Sequence, residues 1–166
     1  MPEQRWKPNV TVAAVIEDHG RFLLVEEETV EGVRFNNPAG HLDRGESPLE
    51  AVVRETLEET ARHFRPQHFL GVYLSRFQRP ATAEDVTYLR LAFAGTVGEC
   101  LPGRSLDTGI LRTVWMSLDE LRASRARHRS AQVLRCIEDH LAGRHHPLDV
   151  VMADGTLYTP EIKRAS

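Results

Sequence analysis

Apolar residues in much of the chain occur in short runs rich in β-branched side chains. Such runs, bounded by Gly, Pro and polar residues, predict β-strands. The first two runs flank His19-Gly20, which predicts a β-hairpin. In chain order, the predicted strands are NVTVAAVIED, RFLLVEEE, a short strand in RFNNPAG, HFLGVYLSRF, VTYLRLAFAGTVG and RTVWMS, with the polar segment QRPATAED as a loop between the fourth and fifth.

The segment SPLEAVVRETLEETARH is the clearest predicted helix. Its apolar positions fall on one side of a helical wheel: Leu49, Val52, Val53, Thr56 and Leu57. Two more helices are predicted in SLDELRAS and SAQVLRCIEDHLAG, and the tail DGTLYTPEIKRAS is expected to be extended or poorly ordered. Because strands and helices interleave irregularly, the pattern favours an α/β fold with a mixed sheet between helices.

The start of the first helix carries several specific signals. Ser47 can cap the helix, Pro48 suits its first turn, and Glu50 lies where a capping box requires an acidic residue. On the face opposite the apolar residues, three carboxylates cluster and are expected to point outward: Glu55, Glu58 and Glu59. Like charges on adjacent helical turns repel, so their clustering needs an explanation.

Two interpretations of the acidic face are compatible with the helix alone. The face is either solvated, with Arg54 and Arg62 reducing the repulsion, or it holds a hard divalent cation. Mg²⁺ prefers oxygen ligands and is often shared between protein carboxylates and substrate phosphates. The preceding loop can add a backbone carbonyl at Gly40, and Glu46 can anchor that loop through Arg54.

The spacing of these residues favours the metal-binding interpretation. Gly40, Glu46, Arg54-Glu55 and Glu58-Glu59 match the Nudix box, G-x5-E-x7-R-E-U-x-E-E-x-G-U with U a bulky apolar residue. From about residue 8 to residue 150, the chain resembles Nudix hydrolases. Three positions depart from the box: Thr56, Ala61 and Arg62. Ala61 replaces the usual Gly, which predicts that the helix continues or ends without a left-handed turn.

The resemblance implies a Nudix-type α/β/α sandwich with a mixed β-sheet, and it assigns roles position by position. It implies that Glu55 and Glu59, with Glu58 beside them and the Gly40 carbonyl, bind Mg²⁺, with Mn²⁺ as a substitute. Arg54 would pair with Glu46 to hold the loop, so Arg54, Glu55, Glu58 and Glu59 form the expected catalytic set. The attacking water would be oriented and deprotonated by a metal-bound carboxylate, for which Glu55 is favoured.

Further stretches resemble one branch of the family, the NudJ-type phosphatases: KPNVTVAAVIED, FLLVEEETVEG, NNPAGHLDRGES, RPQHFLGVY and the LDTGI segment. This branch implies release of phosphate from nucleoside tri- and diphosphates and from thiamine or hydroxymethylpyrimidine pyrophosphate. The alternatives are another Nudix pyrophosphohydrolase, of the nucleoside triphosphate or ADP-ribose type, a non-catalytic Nudix ligand-binding module, and an isoprenoid diphosphate isomerase. The expected organisation is one domain at 8–150 and a C-terminal tail at 151–166.

Residues outside the box offer weaker candidates for substrate binding. The aromatic, histidine and arginine side chains proposed to contact substrate are Phe35, His41, Arg34 and Tyr88, with Arg76, Arg90 and Trp115 as weaker candidates. An additional catalytic acid could come from Glu84, Asp85, Glu99 or Asp107. The physiological substrate, the phosphorus attacked and the oligomeric state stay open, with a monomer as the default.

Composition and charge argue against several other classes of protein. The 166 residues carry a net charge of −3, which gives no basic surface for a nucleic-acid polymer. No apolar run approaches the roughly 20 residues that span a bilayer, and the N-terminal residues lack the pattern of a signal peptide. Cys100 and Cys136 are expected as buried free thiols, and a cytoplasmic location is the default.

Overall fold

A computed structural model describes residues 5–160 of the chain. The strands are β1 Asn9–Asp18, β2 Arg21–Thr29, β3 Gly32–Asn36, β4 Ala39–His41, β5 Phe64–Arg79, β6 Glu84–Val97 and β7 Ile110–Ser117. The α-helices are α1 Pro48–Thr60, α2 Leu118–Ala123 and α3 Gln132–Leu141. Short 3₁₀ helices are formed by Pro80–Thr82, Arg125–Arg127, Leu148–Val150 and Gly155–Tyr158.

The seven strands form one mixed sheet. Its main order is β3-β2-β1-β6-β5, with β4 paired to β1 and β7 paired to β2. Strands β1 and β6 run parallel, and the other pairs are antiparallel. Strands β1 and β2 pair only beside their turn, at Glu17↔Phe22 and Asp18↔Arg21. Further along, this edge of β1 pairs with β4 and this edge of β2 pairs with β3, whereas β7 occupies the opposite edge of β2, so β1 and β2 diverge.

Helices cover the two faces of the β1–β6 region. Alternate residues of β1 point to opposite faces, as the pleat of a strand requires. One face, including Val12 and Ala14, packs with α1 residues Ala51 and Val52. The other face, including Val15, packs with α3. The predicted α/β class and the mixed sheet between helices are therefore confirmed.

The end of α1 differs from the prediction. Ala61 takes the left-handed conformation, with φ 53° and ψ 32°, and its N–H donates to the Leu57 carbonyl. The residue is buried, and its own carbonyl accepts a hydrogen bond of 2.8 Å from the Leu101 N–H. Contacts on both sides thus hold an alanine in a conformation that usually takes glycine, and the expectation of no left-handed turn is wrong.

Several other details also depart from the sequence-based expectations. Half of the segment expected as a loop, QRPATAED, belongs to the ends of β5 and β6, which are joined by a short 3₁₀ turn. Cys136 is buried as expected, whereas Cys100 is exposed. In the tail, the Tyr158 hydroxyl donates to a Glu50 carboxylate oxygen at 2.8 Å, and the last residues, 161–166, lie outside the described residues. Within the described part of the chain, no helix is long and apolar enough to cross a membrane.

Candidate active site

The loop before α1 and the first turn of the helix are held by local hydrogen bonds. Ser47 accepts from the Glu50 N–H, and the Glu50 carboxylate accepts from the Ser47 N–H at 2.7 Å, which completes the capping box. The Glu46 carboxylate accepts from the Asp43 N–H at 2.8 Å. These contacts fix the start of α1 relative to the loop, so the side chains one and two turns later have defined positions.

Arg54 lies at the centre of this arrangement. Its guanidinium donates two hydrogen bonds to Glu46, at 3.0 and 2.7 Å, and one to the His41 carbonyl at 3.0 Å. It also donates to Glu55 at 2.8 Å and to Glu58 at 3.1 Å. These bonds lower the pKa of the Glu46 carboxyl, so that group is held ionised. The planar fork of Arg54 thus ties the loop, β4 and the acidic helix face together.

Glu55 and Glu59 lie against the short strand β4. A Cβ built on Gly40 would come within 2.0 Å of the Glu55 carboxyl carbon, so a larger residue at this position would displace that carboxylate. One Glu59 carboxylate oxygen accepts from the Ala39 N–H at 2.8 Å. Both carboxylates are therefore placed beside the backbone of β4.

The burial of these carboxylates differs from the outward orientation predicted for the whole acidic face. Glu55 is 9% exposed and Glu59 is 7% exposed, whereas Glu58 is only half-buried. The helical wheel separated apolar from acidic residues correctly, but the β4 loop covers part of the acidic face. Two of the three carboxylates are consequently shielded from bulk water.

Shielding changes the proton affinity of both groups. Burial is the main cause that raises the pKa of Glu59 to about 8, with smaller contributions from the carboxylates of Glu55, Glu27 and Asp107 and an opposing effect of the Ala39 hydrogen bond. Burial also raises the pKa of Glu55, against the opposing effect of Arg54. In the absence of a cation, both carboxyls therefore resist ionisation.

The donor set fits a hard divalent cation. Two carboxylates and a backbone carbonyl at Gly40 are oxygen ligands, and a cation beside them would relieve their mutual repulsion. Between residues 5 and 160, no three His, Cys, Asp or Glu side chains form a ready-made metal cluster. Mg²⁺ does not require one, because it keeps several waters and shares substrate phosphate oxygens.

The two buried carboxylates open into a cavity of about 690 Å³. Among the residues predicted from sequence, Gly40, His41, Glu55, Glu59 and Tyr88 line it, as do Arg76, Glu84, Arg90 and Asp107. The rings of His41 and Tyr88 lie 6.3 Å apart, close enough for both to contact one planar group. Arg76 is paired with Asp85, and Glu84 with Arg79, so these side chains already have ionic partners.

Three candidate substrate contacts do not lie in the cavity lining: Phe35, Arg34 and Trp115, the last of which packs against the core. Phe35 is buried in the core, and the Arg127 guanidinium covers its ring at 4.2 Å. Alternation along β3 explains this: Phe35 shares a face with its partner Glu26, whereas Asn36 shares the face of Val25 and Glu27. Arg34 is half-buried outside the lining, and its guanidinium makes a long contact of 3.4 Å to the neighbouring Val33 carbonyl.

Sequence reasoning missed several residues that line the cavity: Glu27, Asn36, Arg129 and Gln132. Glu27 and Asn36 were read only as parts of strands, and Arg129 and Gln132 precede or begin a predicted helix. No motif joins them, because they converge only after β2, β3 and α3 have packed together. Side chains alternate between the two faces of β2, and this alternation is the one sequence signal that could have placed Glu27 on the same face as Leu23 and Val25.

Comparisons with known proteins agree with this geometry. The family model described as the NUDIX domain matches residues 5–136. Curated proteins named Phosphatase NudJ, from Shigella boydii serotype 4 and from Escherichia coli K12, are each 35% identical over 147 residues, which is 88% of this chain and 92% of each relative.

Solved structures give the same result. A NUDIX hydrolase from Nitrosomonas europaea superposes with a TM-score of 0.81 and is 47% identical, covering 89% of this chain and 98% of that one. A MutT NUDIX hydrolase from Burkholderia pseudomallei, 20% identical with a TM-score of 0.65, covers 81% of this chain and 98% of its own and shares the fold.

Proposed function

Because the chain belongs to the Nudix hydrolase family, we propose that it is a Mg²⁺-dependent phosphatase that releases terminal phosphate from nucleoside di- and triphosphates. We extend the proposal to thiamine and hydroxymethylpyrimidine pyrophosphates, which share the diphosphate group. The observation that carries the proposal is the placement of Glu55 and Glu59 against Gly40 inside one cavity. The 35% identity to proteins named Phosphatase NudJ supports the phosphatase reaction over other Nudix reactions.

In this proposal, Glu55, Glu59 and the Gly40 carbonyl hold Mg²⁺, with Glu58 beside them. The cation, Mg²⁺ or Mn²⁺ as its substitute, neutralises charge on the diphosphate and makes a water molecule more acidic. Arg54 and Glu46 keep the loop and the carboxylates in place, because orientation of metal ligands by neighbouring groups is essential to such sites.

Proton transfer is assigned to Glu55. Its Oε1 accepts from Arg54 at 2.8 Å, which orients the carboxylate and leaves Oε2 as the oxygen that takes the proton of the attacking water. A base positioned within hydrogen-bond reach of the water is what this step requires. His41 and Tyr88 line the same cavity and are proposed to contact the organic part of the substrate.

The proposal also includes the partner, the oligomeric state, the location and the domain bounds of the chain. The partner is a small diphosphate compound rather than a nucleic-acid polymer or a membrane, the chain acts as a monomer, and a cytoplasmic location is retained from the sequence-based prediction. The predicted domain at 8–150 and tail at 151–166 are likewise retained as proposals.

The test measures orthophosphate and pyrophosphate release separately, with Mg²⁺, from nucleoside di- and triphosphates, thiamine pyrophosphate and ADP-ribose. Glu59→Gln is the site variant, and Glu138→Gln, on α3 outside the cavity lining, is the matched control. Orthophosphate release that Glu59→Gln abolishes and Glu138→Gln retains is the expected result. Pyrophosphate from triphosphates, or cleavage of ADP-ribose alone, would replace the phosphatase with a Nudix pyrophosphohydrolase. Absence of any Glu59-dependent turnover would favour a ligand-binding module.

A further inference from the structure

A second group of polar side chains lies in the same cavity, on elements other than α1. We call it the polar floor, and it consists of Glu27 from β2, Asn36 from β3, Arg90 from β6 and Gln132 from α3. Arg90 is paired in register with Thr11 of β1, and Thr11 is paired in register with His41 of β4. Residues in register on adjacent strands share a face of the sheet, so Arg90 lies on the same face as the His41 ring.

Three of the four side chains of the polar floor are deeply buried, and Glu27 is partly buried. Asn36, Arg90 and Gln132 are 6%, 8% and 9% exposed, respectively. Burial holds the pKa of Arg90 below, and that of Glu27 above, the ordinary value of each side chain. Charged and amide groups at this depth normally have hydrogen-bond partners, because leaving one unsatisfied costs about 1–3 kcal/mol.

Three atoms of the polar floor have no hydrogen-bond partner among the described residues: Arg90 Nη1, Gln132 Nε2 and Glu27 Oε1. The contacts that do exist are weak. Arg90 reaches the Asn36 side-chain oxygen only at 3.4 Å and also lies against the Cys136 thiol, which is a poor acceptor. Arg129 approaches Glu27 Oε1 at 3.8 Å, which is longer than a hydrogen bond. Two donors and one acceptor are thus left without partners on residues that line one cavity.

The donor or acceptor character of these three atoms constrains which group can bind to them. A phosphate or carboxylate would satisfy Arg90 and Gln132 but would lie beside the carboxyl of Glu27, whose Oε1 would stay without a hydrogen bond. An apolar group would satisfy none of them. A neutral group with two acceptors and one donor satisfies all three, since each buried atom then gains a bond of the correct polarity.

Pyrimidine bases present this combination along one edge. Uracil offers O4 and O2 as acceptors and N3–H as a donor, whereas cytosine offers N3 and O2 as acceptors and its amino group as a donor. Guanine offers one acceptor and two donors on the corresponding edge, and adenine one of each. We propose that the polar floor binds the base edge of a pyrimidine nucleotide, with Arg90 and Gln132 donating to the base and Glu27 accepting from it.

The inference rests on the proposed phosphatase function, because it names the nucleotides that the same cavity prefers. The rings of His41 and Tyr88 provide aromatic surface in that cavity, on which a planar base can stack. The buried carboxylates of Glu55 and Glu59 would then meet the phosphate end of the bound nucleotide. Base recognition and phosphate chemistry are assigned to different side chains, so they can be tested separately.

The first measurement is kcat/KM with Mg²⁺ for CDP, UDP, ADP and GDP, using the full chain. In parallel, NMR titration in EDTA measures binding of the free nucleosides cytidine, uridine, adenosine and guanosine. We expect pyrimidines to exceed purines by about tenfold or more in kcat/KM and in nucleoside affinity, the ratio that corresponds to about one well-placed hydrogen bond. Equal values for pyrimidines and purines in both measurements would overturn the inference.

The second measurement uses Gln132→Met, which removes the buried amide with little change in shape. Its kcat/KM for CDP and UDP should fall by about tenfold toward the purine values, mainly through KM, while Tm rises because an unsatisfied buried donor has been removed. Gln67→Met, an exposed glutamine of β5, is the matched control and should change neither quantity. A Gln132→Met variant that keeps the full pyrimidine preference would contradict the inference.

The two measurements also separate this inference from the proposed function. Pyrimidine nucleosides that bind without any Glu59-dependent turnover would support base recognition and refute the hydrolytic reaction. Conversely, Glu59-dependent turnover with no base preference would support the reaction and refute base recognition.

Discussion

Two arginines of the cavity region differ sharply in their partners. Arg54 donates five hydrogen bonds, to Glu46, Glu55, Glu58 and the His41 carbonyl, with all distances between 2.7 and 3.1 Å. Arg90, which is more deeply buried, reaches the Asn36 side-chain oxygen only at 3.4 Å and otherwise lies against the Cys136 thiol, a poor acceptor. Both carry the same charged group, but only the first is fully satisfied by its own chain.

The difference indicates different tasks. Around Arg54, the protein completes its own network, which holds the proposed metal ligands in position before substrate arrives. Around Arg90, the network remains incomplete, which is the arrangement expected of a surface that a ligand completes. The proposed metal ligands are therefore held by a complete hydrogen-bond network. The proposed base-binding residues, in contrast, keep donors and an acceptor that lack partners.

The largest effect on activity is expected for Gly40→Ala, which disturbs the well-ordered region around Arg54 and Glu55. The added Cβ would meet the Glu55 carboxyl carbon at 2.0 Å, so the carboxylate or β4 must move. A displacement of about 1 Å in a catalytic group costs on the order of 10²-fold in rate, and we expect kcat to fall by about that factor. Steady-state kinetics with saturating Mg²⁺ checks this, with Gly98→Ala, at a position where an added Cβ meets nothing within 4 Å, as the control. An unchanged kcat would show that the close contact has no catalytic consequence.

A smaller effect, on metal affinity, is expected for Arg54→Lys. Lysine keeps the charge but cannot reproduce a planar fork that bonds Glu46, Glu55 and the His41 carbonyl together. Loss of such support typically lowers metal affinity about 10–100-fold, so the Mg²⁺ concentration for half-maximal activity should rise by that factor. Arg21→Lys, at an exposed ion pair with Glu120 outside the cavity lining, is the comparison variant. If both variants behave alike, the network around Arg54 would have no special role.

The third prediction concerns pH and the stability of the metal-free protein. The pKa of Glu59 is about 8 in the folded chain, above its ordinary value of 4.5. Below about pH 4.5 the carboxyl is protonated whether the chain is folded or unfolded. Between pH 4.5 and 8 only the unfolded chain releases the proton, so this group makes folding less favourable as pH rises.

Comparing wild type with Glu59→Gln isolates this group from all others. In EDTA, Glu59→Gln should gain stability relative to wild type as pH rises from 5 to 8, by on the order of 2 kcal/mol. Excess Mg²⁺ at pH 8 should stabilise wild type and reduce that gain, because the cation favours the ionised carboxylate. Urea unfolding at each pH provides the free energies. A stability difference that does not depend on pH would mean that Glu59 titrates normally.

The same contrast explains which parts of the molecule could be predicted from sequence. Gly40, Glu46, Arg54, Glu55 and Glu59 lie within one loop and helix, so their match to the Nudix box indicates which side chains are expected to converge. The apolar runs rich in β-branched side chains likewise predicted most strands, because such side chains pack well on a pleated sheet. The burial of Glu55 and Glu59 was missed, since a helical wheel contains no information about the β4 loop that covers them.

The polar floor could not be predicted for a related reason. Glu27, Arg90 and Gln132 belong to β2, β6 and α3, and they meet only through the pairing and packing of those elements. Phe35 shows how sensitive such predictions are: it occupies one face of β3, and its neighbour Asn36 occupies the cavity face. An error of one residue in a strand therefore reverses the predicted environment.

One part of the cavity is proposed to bind the metal, and the polar floor is proposed to bind the base. The most direct test titrates Mn²⁺ by electron paramagnetic resonance, and uridine by NMR, into wild type, Glu59→Gln and Gln132→Met. Glu59→Gln should weaken Mn²⁺ binding by at least about tenfold and leave uridine affinity in EDTA unchanged, whereas Gln132→Met should do the reverse. If each variant weakened both ligands equally, or if Glu59→Gln left Mn²⁺ binding intact, the division of the cavity into two functions would be contradicted.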